Sequence, residues 1–252
     1  PTGSVCAERR GTYSNQWSMI NCDRPYSYSQ TLYPAVLAAA IDTLFGIAYY
    51  ITSTTVEQYP ISTRVYSDGP RIVDVYIGQT SLDTLTAPVS ASNLTLAVQN
   101  YELSVVDTGW VRINFTNPVP LDGMSNLIVT VDDNTGAIYG DVSFSHHTYS
   151  PGVRFHTSSS SYNDMQTYDP YNPSSFNPMA VLSIPDIQLL GGCSENRCLQ
   201  PLVTVTDEDT HSVSIAWQQR GSESQWMVEY LVEGDTLWSV AGATTNTFFT
   251  KS

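Results

Sequence analysis

The stretch NLIVTVDD at residues 126–133 decides the fold class, because its apolar and polar side chains alternate. Every second residue from Leu127 to Val131 is apolar and falls on one face of an extended chain. A period of two is typical of half-buried antiparallel strands. Two earlier stretches, RIVDVYI at 71–77 and WVRINF at 110–115, alternate in the same way. The sequence therefore predicts an all-β protein.

Turn-forming residues separate the alternating stretches. Clusters of Asp, Asn, Ser, Thr, Gly and Pro stand at Ser67–Pro70, Asp107–Gly109, Asp122–Gly123 and Asn134–Gly136. Short strands with regular turn signals are typical of an antiparallel β-sandwich.

Three segments depart from this pattern. Tyr33–Ala40 places Pro34 before an Ala-rich run and predicts one or two helical turns. The next segment, Leu44–Thr52, is rich in Ile, Tyr and Phe and favours a strand. Residues Thr157–Pro178 show no periodicity and predict a long loop, a feature that is often functional in compact domains.

The chain divides into two predicted domains. Gly191–Pro201 has the composition of a linker, and alternation resumes after it at Val213, Ile215 and Trp217. We assign residues 1–192 to an N-terminal sandwich, 193–200 to a linker and 201–252 to a second, incomplete sandwich. About 52 residues are too few for an immunoglobulin-like sandwich of about 100.

Composition excludes several classes of function. The 252 residues carry 24 acidic against 10 basic side chains, a net charge of −14, and Lys251 is the single lysine. A chain this acidic repels nucleic-acid phosphates and anionic membrane surfaces. We therefore expect neither as a partner. The acidic residues concentrate in turns such as Asp132-Asp133, and we interpret them as turn chemistry rather than as a negatively charged binding face.

The chain opens on Pro1-Thr2-Gly3 without a secretion signal, which is typical of a mature or trimmed form. Residues Pro34 to Ile51 come nearest to a membrane span, but they are few and include Asp42. We expect no membrane insertion by this segment.

Four cysteines stand at Cys6, Cys22, Cys193 and Cys198. Their spacing does not match a metal-binding motif. Disulfides fit a Lys-poor, Ser/Thr-rich chain of exported type. We predict the sequence-local pairs Cys6–Cys22 and Cys193–Cys198. The two crossed pairings and four unpaired buried thiols remain as alternatives.

Several segments resemble surface and secreted β-sandwich modules of Bacteroidetes-type bacteria. The resemblance is carried by YSYSQTLY at 26–33, VDVYIG at 73–78, NLIVTVDDNTG at 126–136 and IQLLGGC at 187–193. The chain after about Pro201 resembles a fibronectin type III domain. The resemblance implies a jelly-roll-like first domain and an exported, cell-surface protein of adhesin or glycan-handling type.

Asp132, Asp133 and Asn134 form the most suggestive oxygen-rich cluster. Calcium takes six to eight oxygen ligands, often from such a loop. The same residues are also those that a hairpin turn requires. Calcium binding at these three residues is therefore one hypothesis, and a simple turn is the alternative.

The predicted loop contains the aromatic residues Tyr162, Tyr168, Tyr171 and Phe176 among Asp and Asn side chains. A sugar offers both apolar C–H faces and hydroxyls, so aromatic rings beside polar groups suit carbohydrate recognition. The alternative is that these rings fold back over the edge of the sandwich.

The sequence has no hydrolase or phosphate-loop signature. We therefore expect a non-enzymatic, extracellular adhesion or binding module that recognises a glycan or a host extracellular protein. An accessory carbohydrate-binding module of a larger secreted hydrolase and a structural spacer are the alternatives.

Overall fold

The alternation in the sequence becomes antiparallel β-strand in the computed structural model of the protein. The structure describes residues 3–9, 13–15, 19–56, 65–148, 155–160, 167–176, 178–181, 183–193, 202–218, 224–230 and 239–251. The all-β sandwich prediction is confirmed. The chain forms two compact units, Pro1–Ser194 and Glu195–Ser252.

The first unit contains a short helix, two 3₁₀ turns and a series of strands. The helix α1 is Ala35–Ala38, and the 3₁₀ turns are Ala91–Asn93 and Pro173–Phe176. The strands are β1 Ser4–Arg9, β2 Tyr13–Asn15, β3 Ser27–Tyr33, β4 Ile41–Val56, β5 Arg71–Thr80, β6 Thr95–Leu103, β7 Gly109–Pro120, β8 Asn126–Asp133, β9 Gly140–Thr148, β10 Phe155–Ser159, β11 Met179–Val181, β12 Ser183–Pro185 and β13 Ile187–Cys193.

These strands form two antiparallel sheets. One follows the order β1-β13-β4-β9-β12, with β7 paired to β4 and β2 paired to β9. The other follows the order β11-β10-β3-β8-β5-β6. The first and last strands of the unit, β1 and β13, are therefore neighbours, although the whole unit separates them in sequence.

The core draws on apolar residues of both sheets. On β8, Leu127, Val129 and Val131 are each 1% exposed, as their alternation predicts. The prediction of a half-buried strand is wrong for β8, however, because its other face is also covered. That face carries Thr130 and Asp132, and both are buried. Burial of a polar strand face requires partners for its side chains.

The predicted helical turns and the following strand are confirmed. Pro34 directly precedes α1, and the chain then enters the sixteen-residue strand β4. The predicted loop begins later than expected, because β10 continues to Ser159. Within the described residues, no helix is long and apolar enough to cross a membrane.

The predicted cysteine pairing is wrong. Cys6 on β1 is joined to Cys193 on β13, with Cα atoms 5.3 Å apart, and not to Cys22. The reason is topological, since the pairing of β1 with β13 brings together residues that are 187 positions apart. Cys22 is an unpaired thiol in the core, and burial raises its pKa to about 12. Cys198, predicted to pair with Cys193, lies outside the described residues.

A buried ion pair closes one end of the second sheet. Arg71 at the start of β5 donates from Nε to the Asp133 carboxylate at the end of β8, at 3.2 Å, and its Nη2 contacts the same oxygen. Both side chains are at most 1% exposed. The guanidinium also donates to the carbonyls of Arg24 and Ala137, so a single side chain holds two loops and two strands.

The second unit contains five strands among its described residues. They are β14 Leu202–Glu208, β15 Val213–Gln218, β16 Trp226–Tyr230, β17 Ser239–Thr244 and β18 Phe248–Lys251. The sheet β14-β15-β18 and the pair β16-β17 meet at Trp217 and Trp226, whose rings pack edge to face 5.7 Å apart. An apolar groove between the two sheets is lined by Val203, Ile215 and Met227.

We predict that Arg71→Met lowers the free energy of unfolding by about 3–5 kcal/mol, because it leaves the Asp133 carboxylate buried without a cation. Urea denaturation at pH 8 measures this loss. Arg112→Met is the matched control, since Arg112 is exposed on β7, and we expect it to cost less than about 0.5 kcal/mol. Equal losses in the two variants would show that the buried pair contributes nothing.

We predict that replacing both Cys6 and Cys193 with Ser lowers the free energy of unfolding by roughly 5 kcal/mol, because the bond closes a very long loop. Reduction of the wild-type protein should produce the same loss, and the double variant should not respond to reductant. A non-reducing peptide map should contain a Cys6–Cys193 peptide. Recovery of a Cys6–Cys22 peptide instead would contradict the assignment.

Candidate functional site

Three neighbouring strands place a row of polar side chains on the face of the second sheet that points away from the core. Tyr28 on β3 is paired with Asp132 on β8, and Asp132 is paired with Asp74 on β5. Val73 and Val131, one position away, belong to the core. Because successive strand residues point to opposite faces, Tyr28, Asp74 and Asp132 share the other face. We call these three residues the outer row.

The outer row is buried because two segments cover this face. The first is residues 81–94, which Gln30 of β3 ties to the sheet. The Gln30 side chain donates to Thr130 Oγ1 at 2.8 Å and to the Val89 carbonyl at 2.9 Å, and it accepts from the Val89 N–H at 2.6 Å. Leu85 of this segment is fully buried.

The second covering segment is residues 167–176, which we call the capping loop. The N–H of Ala91 donates to the Pro170 carbonyl at 2.8 Å, and Ser90 Oγ donates to the Tyr171 carbonyl at 2.6 Å. Each covering segment therefore holds the other in place.

The capping loop carries an exposed aromatic ring. Tyr171 is 56% exposed, and its ring packs edge to face on Tyr76 of β5, with centroids 6.2 Å apart and planes at 83°. Tyr76 itself is 4% exposed. Burial raises the pKa of Tyr76, and the neighbouring Tyr171 and Asp74 raise it further. Asp169 Oδ1 accepts from the Tyr171 N–H at 3.0 Å and fixes the turn that presents the ring.

Asp132 is the most perturbed carboxyl of this face. Burial raises its pKa to about 7, and the nearby carboxylates of Asp74, Asp133 and Asp169 raise it further. A hydrogen bond from Asn134 Nδ2 to Asp132 Oδ2, at 3.2 Å, opposes the shift. The second oxygen, Oδ1, is buried and has no hydrogen-bond partner in the described part of the chain.

The capping loop contains three of the four aromatic residues predicted to bind glycan. Tyr171 is exposed, whereas Tyr168 is buried. Phe176 lies in the 3₁₀ turn Pro173–Phe176. Tyr162 lies outside the described residues. Of the two rings in this set whose burial the structure describes, Tyr171 is the one exposed to solvent.

The residues predicted to bind calcium do not converge on one point. Asp132 belongs to the outer row, whereas Asp133 turns toward Arg71 on the opposite face. Asp133 Oδ1 also accepts from the N–H and the hydroxyl of Thr135, and Asn134 uses its amide group on Asp132. In the part of the chain that the structure describes, no three His, Cys, Asp or Glu side chains are grouped to hold a metal ion. These contacts fit the turn alternative.

Sequence reasoning missed Asp74 and Tyr76. Both lie in the alternating RIVDVYI stretch, between the apolar residues Val73, Val75 and Ile77. An Asp and a Tyr on the second face of a strand whose first face is apolar indicate that polar groups contact this second face as well. Their proximity to Asp132 depends on the β5–β8 register, which alternation alone does not give.

Comparisons with known proteins leave the site to be interpreted from its geometry. No protein-family model matches the chain, and a search of curated proteins finds no significant match. The geometry consists of an exposed tyrosine ring, carboxylates beside and beneath it, and a covering loop tied to the sheet.

We predict that Asp132→Asn removes a pH dependence of stability. The pKa of Asp132 is raised above its ordinary value of 3.8, so the folded protein binds the extra proton between about pH 4 and 7. The free energy of unfolding should therefore fall as pH rises through this window, by up to a few kcal/mol. The variant should match wild type near pH 4 and exceed it at pH 8.

Chemical denaturation at a series of pH values measures the difference between the two profiles. Asp141→Asn is the control, because Asp141 is an exposed carboxylate on β9 of the other sheet. Its profile should run parallel to wild type. A parallel profile for Asp132→Asn as well would contradict the raised pKa.

Proposed function

We propose that the chain is an exported, non-enzymatic binding module of adhesin type, and that the surface around the capping loop recognises a glycan. The observation that carries this proposal is the exposed ring of Tyr171, held edge to face on buried Tyr76. A held ring offers an apolar face to a sugar without losing much rotational freedom on binding.

Polar groups of the same loop support this choice of ligand. Asp169 and Asn172 are both exposed next to Tyr171 in sequence. A sugar ring that stacks on an aromatic face needs acceptors and donors at its rim for its hydroxyls. Asp169 supplies acceptors, and the Asn172 amide supplies both kinds of group.

Other features favour location outside the cell. The Cys6–Cys193 disulfide is compatible with an oxidising compartment. The resemblance to surface β-sandwich modules followed by a fibronectin type III-like domain points the same way. A host extracellular protein is the alternative ligand, and an accessory module of a secreted hydrolase or a spacer is the alternative role.

We predict that a glycan array probed with the full chain gives hits, and that Tyr171→Ala weakens binding to them at least about tenfold. The reason is that the substitution removes the ring face while the strands beneath it stay intact. Titration calorimetry on the strongest hit measures the change.

Tyr50→Ala is the matched control. Tyr50 forms a similar edge-to-face pair with Trp110 on the other sheet, with centroids 5.3 Å apart. This variant should bind as wild type does. An array without hits at high protein concentration, or hits that survive Tyr171→Ala, would reject the proposal. Release of shortened oligosaccharide during the assay would identify an enzyme instead.

A further inference from the structure

We infer that this surface takes a positively charged ammonium group, so that the preferred glycan is an amino sugar whose amine is free. The group would lie against Tyr171 and Asp169, above the carboxylate of Asp132. This inference rests on the proposed function for its saccharide part. The ammonium part rests on the charges and rings described next.

The first argument is uncompensated charge. Asp74 and Asp132 of the outer row and Asp169 of the capping loop lie close enough for both neighbours to act on Asp132. Within the described residues, none of the three takes part in an ion pair, whereas Asp133 has Arg71. A cation that reaches this surface meets three carboxyl groups, and its charge favours the ionised form of Asp132.

The second argument is the buried oxygen of Asp132. Among the residues that the structure describes, none donates to its Oδ1, although Asp132 is only 3% exposed. Polar atoms so deeply buried are nearly always hydrogen-bonded, so an orphaned acceptor calls for an explanation. An ammonium group brings three N–H donors, and a positive charge strengthens the bond that each can make.

The third argument is the pair of tyrosine rings. The rings of Tyr171 and Tyr76 are nearly perpendicular, with planes at 83°, so the two ring faces point in different directions. Ring faces attract ammonium groups, most strongly where water is excluded. Tyr171 is the exposed member, so its ring face is the one that a ligand at the surface contacts.

These three features favour an amine over a neutral sugar. Acetylation of an amino sugar removes the positive charge and two of the three N–H donors, but it keeps the ring and its hydroxyls. The net charge of −14 also concentrates cations near the protein. The matched pair of glucosamine oligosaccharide and N-acetylglucosamine oligosaccharide therefore separates ammonium recognition from sugar stacking.

The test is titration calorimetry of the full chain with these two oligosaccharides at pH 7 and low salt, because Asp132, whose pKa is raised to about 7, is largely protonated at pH 6. We expect the free amine to bind at least about tenfold more tightly, with a preference that shrinks as salt is added. Asp169→Asn and Asp132→Asn should each reduce the preference. Asp141→Asn on the other sheet removes the same charge and should keep it.

The outcomes separate this inference from the proposed function. If Tyr171-dependent glycan binding is present but both oligosaccharides bind equally, the ammonium inference is wrong and the glycan proposal stands. If neither oligosaccharide binds and tetramethylammonium produces no chemical-shift change at Asp169 and Tyr171, the site takes no cation. A lysine-rich peptide that binds more tightly than the amino sugar would overturn the saccharide assignment.

Discussion

The buried pair of Arg71 and Asp133 is the constraint on which the rest of the first unit depends. Burying a guanidinium and a carboxylate away from water is costly, and the cost is offset only where hydrogen bonds use most of their donors and acceptors. Arg71 uses four of its five N–H donors, two on Asp133 and one each on the carbonyls of Arg24 and Ala137. The Asp133 carboxylate also accepts from Ser27 and Thr135. The register of β3, β8 and β5 is thereby fixed at one end, because a slip by one residue would break all of these bonds together.

This constraint also creates the candidate site. Because Asp133 must face Arg71 on the core side, its neighbour Asp132 must face the other way. There it joins Tyr28 and Asp74, which β3 and β5 place opposite it. The covering segments then remove water from this face, and burial is what raises the pKa of Asp132. The same strand register therefore places the Arg71–Asp133 pair that stabilises this end of the sheet and the Asp132 carboxyl whose pKa is raised.

The sequence predicts what depends on local pattern and fails where distant parts of the chain meet. Alternation at Leu127, Val129 and Val131 predicts β8 and its core face correctly. Adjacent Asp132 and Asp133 suggest one oxygen cluster, but a strand sends adjacent side chains to opposite faces. The disulfide prediction assumed that neighbours in sequence pair. The pairing of β1 with β13 instead joins Cys6 to Cys193, and no local signal reports such a closure.

The acidic excess takes on a different meaning once the fold is known. Turn chemistry accounts for Asp133, whose carboxylate holds Thr135 and Arg71. It does not account for Asp74 and Asp132, which lie within strands and gather with Asp169 on one face. Burying Asp132 beside like charges costs folding free energy, and burial is the larger cause of its raised pKa, to which the neighbouring carboxylates add. A bound cation would offset the part of this cost that comes from repulsion, and this gives the acidic cluster a physical rationale.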